Sequence, residues 1–304
     1  MKVVLAGDID AAEWAVWRNA LATALPEATW LTADEARHDA GTAAEVTAAV
    51  VANPPPGGLA GLPSLRLIQS LWAGVDRLLM DPTLPAGVPV ARMVDPAMSA
   101  AMAETALWAV LSLHRGFFTY QERQRAGVWQ QHAQRRADEV AVLVLGDGQM
   151  GRCVAEALRR QGYAVQNWRR RDGPALPPQL ATSEIVINLL PLTPATRGLL
   201  DARFFAALRP QAALVNFGRG AHLVDDDLLA ALDAGQLRHA VLDVFHTEPL
   251  PPQHRYWQHP RVTLLPHAAA LTDHRSAAEV AAGNLRALRD GRPIAHLVDR
   301  ARGY

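Results

Sequence analysis

The chain has 304 residues, half of them hydrophobic and a fifth charged, with a formal net charge of zero. That length suits one large domain or two modest ones with a sizeable core, and a zero balance argues against a general nucleic-acid or membrane binder. Cys153 is the only cysteine and Lys2 the only lysine, which excludes an intramolecular disulfide, a cysteine-built zinc site, a Schiff-base lysine and a GK[ST] phosphate loop. Cys153 reads as a small packed side chain rather than a reactive thiol.

The opening run MKVVLAGDID reads as a buried first strand, too short for a signal peptide. No uncharged apolar run approaches the length of a membrane span. The expectation is a cytoplasmic protein with neither a membrane nor a nucleic-acid partner. VVLAG (3–7), AAVVA (48–52), LRLIQSL (65–71) and PVARM (89–93) follow as strands, and WAVWRNALATAL (14–25) as an amphipathic helix. This alternation predicts a parallel sheet with helices on its faces. NPPPGG (53–58) marks a turn. A long apolar helix spans 98–114, and 115–139 is polar, aromatic and charged without a strand signal. A second series of strands then begins: 140–146, 164–168, 185–190, 212–218, 239–244 and 262–267, which predicts a complete doubly wound sheet. A helix over 272–291 after the last strand suggests that the C-terminus packs back on the first domain. The reading is therefore α/β with two domains, 1–97 plus 270–304 and 98–269, and a cleft between them.

Gly146-Asp147-Gly148-Gln149-Met150-Gly151 fits G-x-G-x-x-G, with a strand before it and a helix after it. Gly146 permits the tight turn, Gly148 admits a pyrophosphate to the backbone, and Gly151 lets helix and strand pack closely. The free N–H groups of the helix start then face the phosphates. An acid at the end of the following strand accepts from the ribose hydroxyls of NAD. Here that strand ends Trp168-Arg169-Arg170-Arg171. Arginine pairs with the 2′-phosphate of NADP through charge-assisted bonds, so NADPH is the expected cofactor, with NADH possible. Arg169 and Arg170 are the preferred pair, and the competing reading is a solvated basic turn. Trp168 either lies near the adenine or closes the sheet edge.

Three later segments, NFGRG (216–220), LDVFHTEPLP (242–251) and LPHAAA (265–270), fall where a parallel sheet presents its ligand site. Each contributes one ionisable residue. Arg219 grips a carboxylate and polarises the adjacent carbonyl, His267 donates a proton as hydride arrives, and Glu248 orients the imidazole and favours its charged form. Singly, each is more easily a turn charge, a helix-stop acid or a strand-end cap. Together, beside a dinucleotide loop, they form a keto-acid reduction apparatus.

With these motifs the chain resembles the D-isomer-specific 2-hydroxyacid dehydrogenase family over nearly its whole length. NFGRG is similar to the family's N-x-x-RG, DVFHTEPLP to D-V-F-x-x-EP-L-P, LPHAAA to PH-x-A, LWAGVD (71–76) to its substrate loop, and NLLPLTPATRGL (188–199) to the segment beside the cofactor. INLLP (187–191), HPRVTLLPH (259–267) and the terminal VDRARGY point to the branch that reduces glyoxylate and hydroxypyruvate. The resemblance implies a Rossmann doubly wound coenzyme domain and a flavodoxin-like substrate domain. It implies that His267 is the acid/base, Glu248 its partner and Arg219 the substrate anchor. The N–H groups of Ala73, Gly74 and Val75 would hold the substrate carboxylate. Leu190, Pro191 and Thr196 would line the cofactor, and Asp243 would lie near the nicotinamide carboxamide unless it caps a strand end. Arg92 would help to orient Glu248 or the substrate. A homodimer is implied, built through the second domain and the 115–139 arm, with Trp129 reaching the partner.

Two departures from the family pattern bear on the substrate. Trp72 stands where the family often has a small residue, and either shrinks the pocket towards small 2-oxoacids or packs. Asn53-Pro54-Pro55 occupies a loop where relatives carry an aromatic or histidine. Two other readings stay open: an NAD-linked sibling acting on another 2-hydroxyacid, and a dinucleotide-sensing protein on the same fold. Metal hydrolysis is a distant third, since the 11 histidines show no ligand spacing and Asp225-Asp226-Asp227 reads as the acidic start of a helix.

Overall fold

The computed structural model describes residues 1–169 and 178–304. Contacts divide the chain into two units, Met1–Met98 with Thr272–Tyr304, and Ser99–Leu271.

In the first unit the chain runs β1 (Lys2–Gly7), α1 (Ala11–Ala24), β2 (Thr29–Thr32), α2 (Ala33–Arg37), α3 (Ala40–Glu45), β3 (Val46–Ala52), β4 (Leu67–Ser70), α4 (Asp76–Leu79) and β5 (Val90–Ala91). The strands form one parallel sheet in the order β2-β1-β3-β4-β5, the flavodoxin-like arrangement. Val3, Val4, Ala49, Val50 and Ile68 are fully buried, because a parallel strand is covered on both faces and so carries a nearly continuous apolar run. Polar side chains set the helix starts. Asp10 accepts from Glu13 N–H, and Thr32 and Glu35 close a reciprocal capping box. The strand TWLT and the two short helices after it fall between the elements expected from the sequence. Four residues with one buried side chain leave little periodic signal.

The second unit takes up most of α5 (Pro96–Arg115), then α6 (Phe117–Arg125), β6 (Ala141–Leu145), α7 (Gln149–Arg160), β7 (Ala164–Trp168), β8 (Ile185–Asn188), α8 (Ala202–Ala207), β9 (Ala212–Asn216), α9 (Asp225–Asp233), β10 (Leu237–Leu242) and β11 (Val262–Leu264). The chain then returns to the first unit as α10 (His274–Arg289). Among the described residues the second sheet is parallel in the order β7-β6-β8-β9-β10-β11. The order reverses at β6, so a crevice opens at the carboxyl ends of β6 and β8, where open α/β sheets bind ligands.

Proline at the first position of α5 fits the helix start, and Asp95 accepts from Ala97 and Met98 N–H. By length and composition α5 could cross a membrane, yet half of it is buried. Ala106, Ala109 and Val110 join one core layer of the second sheet with Val142, Val144 and Ile187, and Cys153 packs at its margin. Burial pushes the Cys153 thiol up, away from thiolate. The other face of this sheet is covered by Phe204, Phe205, Leu228, Leu232 and Tyr256.

Candidate active site

The glycine loop joins β6 to α7. Gly146 has φ +115°, and a side chain there would meet the Leu189 carbonyl at 2.9 Å. A Cβ on Gly151 would lie 2.1 Å from the Gly146 carbonyl oxygen, so helix and loop touch backbone to backbone. A Cβ on Gly148 would meet nothing within 4 Å, so the space beside it is open to a ligand that approaches the main chain. The N–H groups of Gln149, Met150 and Gly151, at the start of α7, donate to no protein atom among the described residues. These are the features a pyrophosphate requires: open space, orphan donors and the positive end of a helix.

At the end of β7 the Trp168 carbonyl accepts from Gly146 N–H at 2.9 Å, and this ties strand end to loop. The Trp168 ring is 6 % exposed and belongs to the core with Leu145, Leu180 and Leu190. Of its two expected places it takes the sheet edge, and its indole is not open to stack on an adenine. Arg169 is 41 % exposed, and its Nε lies 3.4 Å from Asp147 Oδ2. Arg170 and Arg171 lie outside the described residues.

Several other expected cofactor residues support the loops from below. Thr196 is buried; its hydroxyl donates to the Pro191 carbonyl and accepts from Thr193 N–H. Leu190 is buried in the core. Asp243 is 2 % exposed, and its carboxylate accepts from Ala268 and Ala269 N–H while its carbonyl accepts from His267 N–H. Burial pushes this carboxyl up, against the pull of the two amides. Asp243 is thus the cap of a strand end, and both its oxygens already serve the loop that carries His267.

That loop follows β11 and holds His267 at φ +53°. Its Nδ1 lies 2.6 Å from Glu248 Oε2, and the other carboxylate oxygen, Oε1, accepts from Phe245 N–H at 2.8 Å. Glu248 therefore cannot rotate away from the ring without losing a backbone bond. The Glu248 bond raises the His267 pKa, against the opposing effects of burial and the Arg219 charge. For Glu248, burial pushes upward, but His267, Phe245 N–H and Arg219 together hold the carboxyl below its ordinary value. With Nδ1 committed, Nε2 is left without a protein partner among the described residues and is the atom able to exchange a proton.

Arg219 comes from the turn after β9. Its Nη1 donates to the Gly218 carbonyl. The next residue, Gly220, would place a Cβ 2.0 Å from the Phe245 carbonyl carbon. Only glycine lets this turn touch the backbone segment that leads to Glu248. Three residues absent from the expected set stabilise this region. Asn188 and Asn216, paired in register at the ends of β8 and β9, are fully buried, as is His222. Asn188 Nδ2 donates to Asn216 Oδ1 and to His222 Nδ1, both at 2.9 Å, and Asn216 Nδ2 donates to the Arg219 carbonyl. His222 Nδ1 also accepts from Arg219 N–H, so Nε2 carries the proton that bonds the Pro191 carbonyl. One buried network thus fixes both the Arg219 turn and the Leu190–Pro191 segment. The signal was present as asparagine closing two apolar strands, IVIN and ALVN.

In the first unit, Trp72 N–H donates to Ser70 Oγ and its carbonyl accepts from Met93 N–H. Its ring meets Trp17 edge-on at 6.4 Å. The N–H groups of Ala73, Gly74 and Val75 have no protein acceptor among the described residues. Among the same residues no cluster of three or more His, Cys, Asp or Glu side chains is arranged to hold a metal.

Comparison with known proteins was made against this geometry. The family model described as D-isomer specific 2-hydroxyacid dehydrogenase, NAD binding domain, matches residues 107–269. The chain is 41 % identical to glyoxylate/hydroxypyruvate reductase A of Serratia proteamaculans over 95 % of this chain and 96 % of that protein. Among solved structures, a D-isomer specific 2-hydroxyacid dehydrogenase of Xanthobacter autotrophicus Py2 in complex with NADPH and MES superimposes with a TM-score of 0.92, at 37 % identity, covering 100 % of this chain and 99 % of that one. An NADPH-dependent glyoxylate/hydroxypyruvate reductase of Sinorhizobium meliloti in complex with NADP and sulfate gives a TM-score of 0.89 at 29 % identity, with the same coverage.

Proposed function

Because this chain belongs to the D-isomer specific 2-hydroxyacid dehydrogenase family and is an NAD(P)-dependent oxidoreductase, we propose that it reduces small 2-oxoacids with NADPH, glyoxylate to glycolate and hydroxypyruvate to D-glycerate. The observation that carries this reading is the 2.6 Å His267–Glu248 pair standing with Arg219 at the carboxyl edge of the sheet that bears the glycine loop.

The bound dinucleotide supplies the hydride. The chain supplies charge, orientation and a proton. Arg219 binds the oxoacid and polarises its keto oxygen. His267, whose charged form is favoured by the Glu248 bond, donates from Nε2 to that oxygen as it becomes an alkoxide. Glu248 holds the ring through Nδ1 and stays ionised throughout. The N–H groups of Gly148, Gln149, Met150 and Gly151 would hold the pyrophosphate of the dinucleotide, and Arg169 would hold its 2′-phosphate. In the first unit, the free N–H groups of Ala73, Gly74 and Val75 suit a carboxylate. We assign the protein to the cytoplasm and to a homodimer. The second assignment follows from the arm after α5, where Phe117, Val128 and Trp129 are 50 %, 47 % and 99 % exposed, an apolar surface that suits a second copy.

The test follows nicotinamide absorbance with purified protein, first with glyoxylate and then with hydroxypyruvate, comparing NADPH with NADH. Rapid NADPH consumption with either acid is expected, and His267→Ala should lose on the order of a hundredfold or more in turnover while still binding the dinucleotide. No turnover with either acid and either cofactor would overturn the assignment.

A further inference from the structure

In a dinucleotide site the acid that accepts from the ribose 2′-hydroxyl ordinarily stands at the end of the second strand, and an arginine there admits a 2′-phosphate instead. This chain has the arginine at the strand end and an acid on the glycine loop itself. Asp147, between Gly146 and Gly148, has a side chain only 17 % exposed. Its carboxylate lies 3.4 Å from Arg169 Nε, and 3.4 Å and 3.3 Å from Arg152 Nε and Nη2. The Gly146–Trp168 backbone bond holds loop and strand end together, so residues 147 and 169 remain neighbours.

We infer that Asp147 is a specificity-determining residue, which sets the balance between NADPH and NADH by keeping a negative charge against the arginine that receives the 2′-phosphate. The inference rests on the reading that this loop holds a nicotinamide dinucleotide. A 2′-phosphate carries nearly two negative charges at neutral pH. It must share Arg169 with a carboxylate that cannot move far and that repels it. A 2′-hydroxyl meets no such opposition, because it donates to the same carboxylate. The loop acid therefore narrows the preference that Arg169 alone would create, and the chain uses NADH as well as NADPH.

The experiment is calorimetric titration of the full chain with NADP⁺ and with NAD⁺, for the wild type, Asp147→Asn and Asp147→Ala, with melting curves for each. Both substitutions preserve the backbone bonds of the loop, since the Asp147 side chain accepts only from guanidinium groups in the bonds given above. Asp147→Asn should tighten NADP⁺ by about threefold to tenfold at low salt and weaken NAD⁺ by a few-fold, moving the ratio of dissociation constants by about tenfold or more. The shift should shrink at high salt. Equal changes for both dinucleotides, or weaker NADP⁺ binding, would mean that Asp147 only shapes the loop or pre-organises Arg169, and would overturn the inference. A wild type that binds neither dinucleotide overturns the cofactor reading and the inference with it. Tight wild-type binding with an unmoved ratio overturns the inference alone.

Discussion

Replacing Glu248 by glutamine isolates the contribution of one carboxylate to the acidity of His267. The carboxylate serves two donors at once, the His267 ring and Phe245 N–H. Glutamine has a single oxygen, and the Phe245 amide has no alternative, so the new NH₂ turns towards Nδ1 and opposes protonation of the ring. A hydrogen bond to a charged group contributes about 1.5–3 kcal/mol. With side chains 51 % and 34 % exposed, solvent screening places this pair at the low end. The His267 pKa should therefore fall. The assay is kcat/KM for glyoxylate reduction across the pH range. Reduction needs the charged imidazole, so it fails as pH rises through the His267 pKa. In Glu248→Gln that limb should move to lower pH, leaving the acidic plateau little changed and the rate on the alkaline side several-fold lower, on the order of the factor that a hydrogen bond to a charged group supplies. Oxidation of the hydroxyacid needs the neutral ring and should gain at the same pH. An unmoved limb would refute the assignment of His267 as the proton donor tuned by Glu248.

Arg219→Gln should move the same limb upward, because the Arg219 charge lowers the His267 pKa, while KM rises and turnover falls; a KM equal to wild type would contradict the anchoring role. Gly148→Ala should melt like the wild type, since its Cβ meets nothing within 4 Å, yet lose dinucleotide affinity by about tenfold or more. Gly151→Ala should instead cost about 1–3 kcal/mol of stability, because its Cβ falls 2.1 Å from a carbonyl oxygen; thermal denaturation separates the two. His239, stacked on Phe118 and buried, has its pKa lowered to about 4 by desolvation. Its folded value lies below the unfolded one, so its contribution is present above about pH 6.5 and is lost as pH falls towards 4, reaching about 3 kcal/mol. His239→Phe should flatten that part of the stability curve; the same slope in both proteins would count against it.

The features legible in the sequence were those with a local cause. Apolar runs such as VVLAG and LVLG gave strands because parallel strands are covered on both faces, and of the three loop glycines Gly146 and Gly151 follow from contacts that a Cβ would spoil, while Gly148 keeps open space beside the backbone. Arg219, Glu248 and His267 stood out because each is an ionisable residue in the segment that follows an otherwise apolar strand. What stayed hidden depended on partners distant along the chain. Asp243 left two readings open, beside the cofactor or capping a strand end, and the cap is seen only once two amides some 25 residues on are brought to its carboxylate. Trp168 allowed two places, near the adenine or at the sheet edge, and its burial with Leu145, Leu180 and Leu190 depends on residues far along the chain. The Asn188–Asn216–His222 network needs two strand ends and the turn that carries His222 brought together, and β2 was too short to register. The part of Asp147 depends on Arg169, 22 residues on, being brought beside it.

The cap that Asp243 places on residues 267–269 has a consequence for amide hydrogen exchange. Three successive amides, those of His267, Ala268 and Ala269, all donate to this one residue. None of them can open while Asp243 stays at the end of β10, so they should exchange as a single kinetic unit, at the rate of the sheet rather than of a surface loop. A half-exposed imidazole on an irregular segment thereby acquires the lifetime of the core. Asp243→Ala should release all three protons together and leave those of β10 slow.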